Sequence, residues 1–93
     1  MVRTNINKFT DIPNVGKATE GDLVLLGFEK PLDLASQDPY ELYSKLCRIT
    51  NQKHDPCVID VFIAAVRYMQ GDDAQKWWLY TDERKRYLVR LEK

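Results

Sequence analysis

The segment from Cys57 to Gln70 constrains the fold more than any other. Val58, Ile59, Val61, Phe62, Ile63, Ala65, Val66 and Met69 cover most of the circumference of a helix. A helix that apolar must pack on several sides, so it belongs at the centre of the molecule. Asp60 and Arg67 lie seven residues apart near one stripe of it, with Ala64 between them. That stripe is either a solvent-facing polar pair or a polar site.

The punctuation around this segment is helical. Asp55-Pro56 reads as a cap followed by a proline in the first turn, and Asp38-Pro39 repeats the device with Glu41 in a box-like position. A helix is expected from Pro39 to about Thr50, with Leu42, Tyr43, Leu46, Cys47 and Ile49 turned inward. Upstream, Ile6, Phe9 and Ile12 recur three apart, which predicts a short helix over Thr4 to Asp11 ended by Pro13. Pro13-Asn14-Val15-Gly16 is a tight turn. A helix from Lys17 to Leu26 follows, with Val15, Ala18, Leu23 and Leu26 as its buried stripe. Gly27 stands where a left-handed residue ends a helix, and Phe28 should fold back on Leu23 in a Schellman ending. Pro31–Ala35 is a connecting turn. Gly71-Asp72-Asp73 ends the central helix, Trp77-Trp78 occupy a short turn, and Thr81 is placed to cap a last helix. Asp82 and Glu83 open that helix, and Arg90 and Lys93 sit near its end, as the helix dipole favours. No segment alternates with period two between turns. The fold class is all-α, with five main helices in a single domain over residues 1–93. A first hairpin covers 4–27, a degenerate second hairpin covers 38–71, and a C-terminal helix covers 81–92.

Charge excludes some functions. The 93 residues carry 14 Lys+Arg and 14 Asp+Glu, so bulk electrostatic attraction cannot hold this chain on nucleic acid or an anionic membrane. The second quarter, residues 21–45, is acidic. Arg84-Lys85-Arg86 is the sole basic cluster, and a run of three reads as a solvated helix face. No apolar run reaches the roughly 18 residues of a membrane span. The opening residues lack a secretory stretch, so a cytoplasmic location is expected. No Ser-centred elbow or phosphate-binding P-loop appears, and no catalytic residues are assigned.

One motif carries chemistry. Ile12-Pro13-Asn14-Val15-Gly16-Lys17-Ala18-Thr19 resembles the hairpin of a helix-hairpin-helix unit, which reads hydrophobic-Pro-Gly-hydrophobic-Gly before a basic or polar residue and Ala. A sharp turn opening onto a helix start leaves main-chain N–H groups unpaired and aimed outward, where they suit a phosphate oxygen. Gly16 leaves the approach open and Lys17 adds charge. Base edges are not reached, so such a site grips the backbone of DNA without reading its sequence. Asn14 replaces the first glycine, and asparagine tolerates the left-handed conformation the turn needs. The competing reading is a structural hairpin with no ligand.

The wider pattern adds Asp22-Leu23, Leu26-Gly27, Asp38-Pro39-Tyr40-Glu41-Leu42-Tyr43, Leu46-Cys47 and Asp55-Pro56-Cys57-Val58-Ile59-Asp60-Val61-Phe62. With Trp77-Trp78, these residues resemble the small bacterial pathogenicity-locus family, sometimes labelled mitomycin-resistance proteins, over about residues 6–80. The resemblance implies tandem helix-hairpin-helix architecture, a connection with DNA, and a monovalent cation held by hairpin carbonyls. It carries over no biochemical activity. In the second half, Asn51 to Asp55 would form the degenerate hairpin, with Lys53 as its phosphate contact. The candidate nucleic-acid-binding residues are thus Asn14, Val15, Gly16, Lys17, Ala18, Thr19 and Lys53. A protein-interaction or dimerisation module is the alternative, and zero net charge suits it.

Cys47, His54 and Cys57 are weak metal candidates. Their spacing, Cys-x6-His-x2-Cys, is unlike the paired ligands of a zinc knuckle. Two buried reduced thiols, a disulfide or redox pair, and a metal site compete. A nucleophilic Cys57 would want His54 as its base. Trp77-Trp78 beside Lys76 has the make-up of a base-stacking platform, but two tryptophans closing a small core are favoured.

Overall fold

The computed structural model describes residues 1–91. Among them the chain forms four α-helices and three 3-10 turns, with no strand. The helices are α1 (Lys17–Leu25), α2 (Pro39–Thr50), α3 (Cys57–Met69) and α4 (Thr81–Leu91). The apolar α3 is central as its composition requires: α2, α4 and the 3-10 turns Pro31–Ser36 and Trp77–Tyr80 all pack on it. Phe62, Ile63 and Met69 are fully buried, and Phe9, Ile12, Leu23, Leu34, Leu42 and Leu46 close around them.

The caps stand where the sequence puts them. The Asp38 carboxylate accepts the Tyr40 N–H at 2.9 Å, and the Asp55 carboxylate accepts the Cys57 N–H at 2.8 Å. At the end of α1 the Phe28 N–H donates to the Leu23 carbonyl and the Gly27 N–H to the Val24 carbonyl, with Gly27 at φ 94°. This is the expected Schellman ending. The same bond pair closes α2, with left-handed Asn51 in the glycine position.

The first of the expected helices is a single 3-10 turn, Phe9–Asp11. Residues before it carry no helix because their polar groups bind elsewhere. The Arg3 N–H donates to the Met69 carbonyl, and the Arg3 guanidinium donates to the carbonyls of Tyr68 and Asp72 while stacking over the Tyr68 ring. The segment is a strap across the end of α3, and a short uncapped helix cannot compete with those tertiary bonds. Two residues of the expected inward faces point out: Ala18 is exposed, and so is Ile49. Thr81 is the first residue of α4 instead of its cap, because its hydroxyl donates to Asp60 at 2.7 Å. Lys93 lies outside the described residues.

Asp60 is fully buried, and its partner is Arg84 of α4, with Nε 2.9 Å from Oδ1. Arg67 pairs with Glu83 instead, through two parallel bonds. The expected Asp60–Arg67 pair therefore does not form. Each charge reaches across to α4, one buried and one half-exposed, and together they dock the last helix on the central one. Tyr40 of α2 stacks on Tyr87 of α4 with ring centroids 3.6 Å apart, closing the other side.

Candidate nucleic-acid interface

The turn before α1 has the geometry its sequence requires. The Val15 N–H donates to the Ile12 carbonyl at 3.1 Å across Pro13 and Asn14, and Asn14 sits at φ 73°. Proline second and a left-handed residue third make the pattern of a type II turn. Asparagine thus supplies the conformation of the replaced glycine.

The helix start that follows is open. The first helical bond runs from the Glu20 N–H to the Gly16 carbonyl. No side chain caps the start at Gly16, and a methyl group placed there would meet nothing within 4 Å. The N–H groups of Lys17, Ala18 and Thr19 precede the ladder and have no partner among the described residues. Gly16, Lys17 and Ala18 are exposed, Asn14 and Thr19 half-buried. Val15 is buried, so its side chain anchors the turn to the core, and its N–H, spent on the Ile12 carbonyl, is not free for a phosphate as the sequence suggested. The carbonyls of Pro13 and Asn14 accept no bond within the described residues, a donor type that suits a monovalent cation.

Asn14 does more than turn the chain. Its amide NH2 donates to the Gln75 carbonyl at 2.7 Å, and its amide oxygen accepts the Trp77 N–H at 3.3 Å. One side chain therefore joins the hairpin to the segment 75–77, more than 60 residues away in sequence. Glycine could make neither bond. Sequence reasoning weighed Asn14 only as a glycine substitute, because nothing local marks a side-chain amide as a tether.

The tryptophans do not close the core. Trp77 is half-buried and Trp78 is 54% exposed, next to Leu79 at 59%. The two rings meet edge to face, and Lys76 Nζ lies 5.7 Å from the Trp78 ring centre. The core is filled without them by α3.

The second helix start is sealed. Asp55 binds the Cys57 N–H, and that bond holds its carboxyl below the ordinary carboxylate value. Pro56 removes a further donor. Lys53 is exposed and lines a cleft between α2 and α4, beside Tyr40, Tyr43 and Tyr87.

Cys47 and Cys57 are free thiols. Among the described residues no group of three or more His, Cys, Asp or Glu side chains is placed to share a metal ion. The Thr50 hydroxyl donates to the Leu46 carbonyl at 2.8 Å, so it must accept from His54 Nε2 at 2.9 Å. The His54 carbonyl accepts the Tyr43 hydroxyl. His54 is a strut in the connection between α2 and α3, with its Nε2 proton already committed. The Asp55 carboxylate bonded to Cys57 raises that thiol above its ordinary value, with burial adding to the effect. The raised thiol works against a nucleophilic or redox-reactive Cys57.

A compact all-α chain whose sequence carries these blocks falls in a defined class. It matches the pathogenicity-locus family over residues 2–86 and belongs to it. The chain is also similar to the mitomycin resistance protein McrB of Streptomyces lavendulae. The two are 34% identical over 89 residues, covering 96% of this chain and 85% of that protein. No solved structure matches.

Proposed function

We propose that this chain binds DNA through its first hairpin, gripping the phosphate backbone without reading sequence and without catalysing a reaction. The observation that carries the proposal is the open start of α1: unpaired N–H groups, an unobstructed Gly16 and an adjacent exposed Lys17. In this helix-hairpin-helix reading, left-handed Asn14 sets the turn, the N–H groups of Lys17 to Thr19 bind a phosphate oxygen, and Lys17 neutralises charge. Lys53 adds a cation on the second hairpin, where Asp55 leaves no main-chain cradle. A DNA ligand would place the work of the chain in the cytoplasm, and none of the described helices is long and apolar enough to cross a membrane.

The test is fluorescence anisotropy with duplexes of unrelated sequence across a salt series. Affinity should fall as salt rises, with a log–log slope of about −0.9 per phosphate contacted, and should not depend on sequence. Binding that ignores salt, or is untouched by Lys17→Glu, removes the proposal.

A protein-interaction reading has one observation in its favour. Val24 and Leu25 of α1 are 59% and 55% exposed, adjacent apolar side chains on a surface helix. It expects a concentration-dependent size in gel filtration that Leu25→Glu abolishes, with no DNA shift.

A further inference from the structure

The surface beside the hairpin adds a preference that a phosphate cradle alone does not have. Residues 76–78 hold an exposed indole, a lysine above it and a second indole meeting it edge to face. A tryptophan left 54% exposed costs apolar hydration that burial would recover. Edge contact with half-buried Trp77 braces the Trp78 ring, and the Lys76 ammonium, over the ring 5.7 Å from its centre, draws anionic groups towards it.

This platform is not a loose loop. Asn14 holds the carbonyl of Gln75 and the N–H of Trp77, bracketing Lys76. The turn that opens onto the phosphate-binding N–H groups is thereby bonded to the segment that carries the indole. Pro13 and Asn14 face Ala74, Gln75 and Lys76 across a shallow cleft. The same asparagine that stands in place of the hairpin motif's first glycine makes this connection.

The charge around the platform selects what reaches it. Asp72 and Asp73 stand just upstream, lining a depression with Gln75 and Tyr80. They repel a phosphate approaching from that side. A neutral base meets no such penalty, and every base offers a face for stacking on indole. Lys17 and Lys76 are both exposed cations, one on each of the two segments that Asn14 joins.

We infer that Trp78, steered by Lys76 and fixed by the Asn14 tether, stacks on an unpaired base of DNA whose adjoining backbone is held by the hairpin. The preferred ligand is therefore duplex DNA with a single-stranded end, in preference to a blunt duplex. This rests on the DNA-binding reading above, and the experiment separates the two.

Blunt duplex and the same duplex with a three-nucleotide overhang are compared by anisotropy at fixed salt, with Trp emission recorded. The overhang should bind about tenfold tighter, the scale of one base–aromatic stack, and should quench Trp emission where the blunt duplex does not. Trp78→Ala should abolish the preference while leaving blunt-duplex affinity unchanged, and Trp78→Phe should keep most of it. The ring is largely exposed, so both variants should melt close to the unmodified protein. Equal binding of both duplexes, or a preference that survives Trp78→Ala, overturns the inference and leaves the hairpin reading standing, provided Lys17→Glu still weakens binding. If neither duplex binds, both readings fall.

Discussion

The two helix starts that follow a sharp connection, α1 after Gly16 and α3 after Asp55, present the same physical problem and resolve it in opposite ways. Both begin with N–H groups that the helix cannot satisfy. At α3 the chain satisfies them itself: the Asp55 carboxylate takes the Cys57 N–H, the Asp55 and Pro56 carbonyls take those of Val58 and Ile59, and Pro56 has no N–H to satisfy. At α1 it uses a residue with no side chain and leaves the groups to solvent. The connection into α3 is further locked by Tyr43, Thr50 and His54, and α3 is the most buried helix. α1 buries only Leu23 along its own length. One start is finished as structure, and the other is left to solvent.

The most disruptive way to test that division is to strike the structural half. Arg84→Ala leaves Asp60 buried and unpaired at the α3–α4 contact. Breaking a buried pair from one side costs about 3–5 kcal/mol, so urea unfolding should show a large loss of stability, with Thr81 unable to compensate alone. Cutting the half-exposed Arg67–Glu83 pair with Glu83→Gln should cost about 1 kcal/mol or less. Equal losses would mean that burial does not distinguish the two pairs.

The next effect falls on binding. Lys17→Glu should weaken duplex DNA about tenfold and reduce the salt slope by about one contact, with little change in melting temperature. Lys53→Glu, on the sealed hairpin, should weaken it far less, because no N–H cradle stands beside it. Equal losses from the two lysines would erase the contrast between the hairpins.

Smaller again is Asn14→Gly. Glycine accepts the left-handed turn, so the hairpin survives, but the bonds to Gln75 and Trp77 are lost. Stability should drop by about 1 kcal/mol, and amide exchange should quicken at Trp77 before it does in α1. If exchange at Trp77 is unchanged, Asn14 is only a turn residue.

What could be read beforehand was local. Asp38-Pro39, Asp55-Pro56 and Gly27-Phe28 act within a few residues, so their caps follow from spacing alone. The central place of α3 follows from its composition. What could not be read was decided through space. Residues 4–11 look helical until Arg3 finds the end of α3, more than sixty residues away. Asp60 needs a cation, but nothing in the sequence chooses Arg84 over Arg67, which shares its helix. The turn at Pro13-Asn14 was legible because it is local, whereas the tether from Asn14 to Gln75 and the exposure of Trp78 were not. A double tryptophan in a small chain is more often core, and here α3 already fills that space.

The finest test tries to convert one hairpin into the other. Asp55 titrates below its unfolded value because the Cys57 N–H binds its carboxylate. Its contribution is therefore present above the unfolded value, 3.8, and disappears as pH falls through the lower folded value. Asp55→Ala should lower the melting temperature at pH 7, and the gap from the unmodified protein should close only at pH below 3.8. The same substitution removes the carboxylate from the start of α3 and bares the Cys57 N–H beside exposed Lys53. Duplex affinity should then rise about twofold, with a steeper salt slope, the modest gain expected of a helix start that still lacks the donor Pro56 cannot supply. A fall in affinity, with melting behaviour as predicted, would show that the carboxylate caps the helix without guarding it, and that the openness of α1 must be explained by something other than access to an anion.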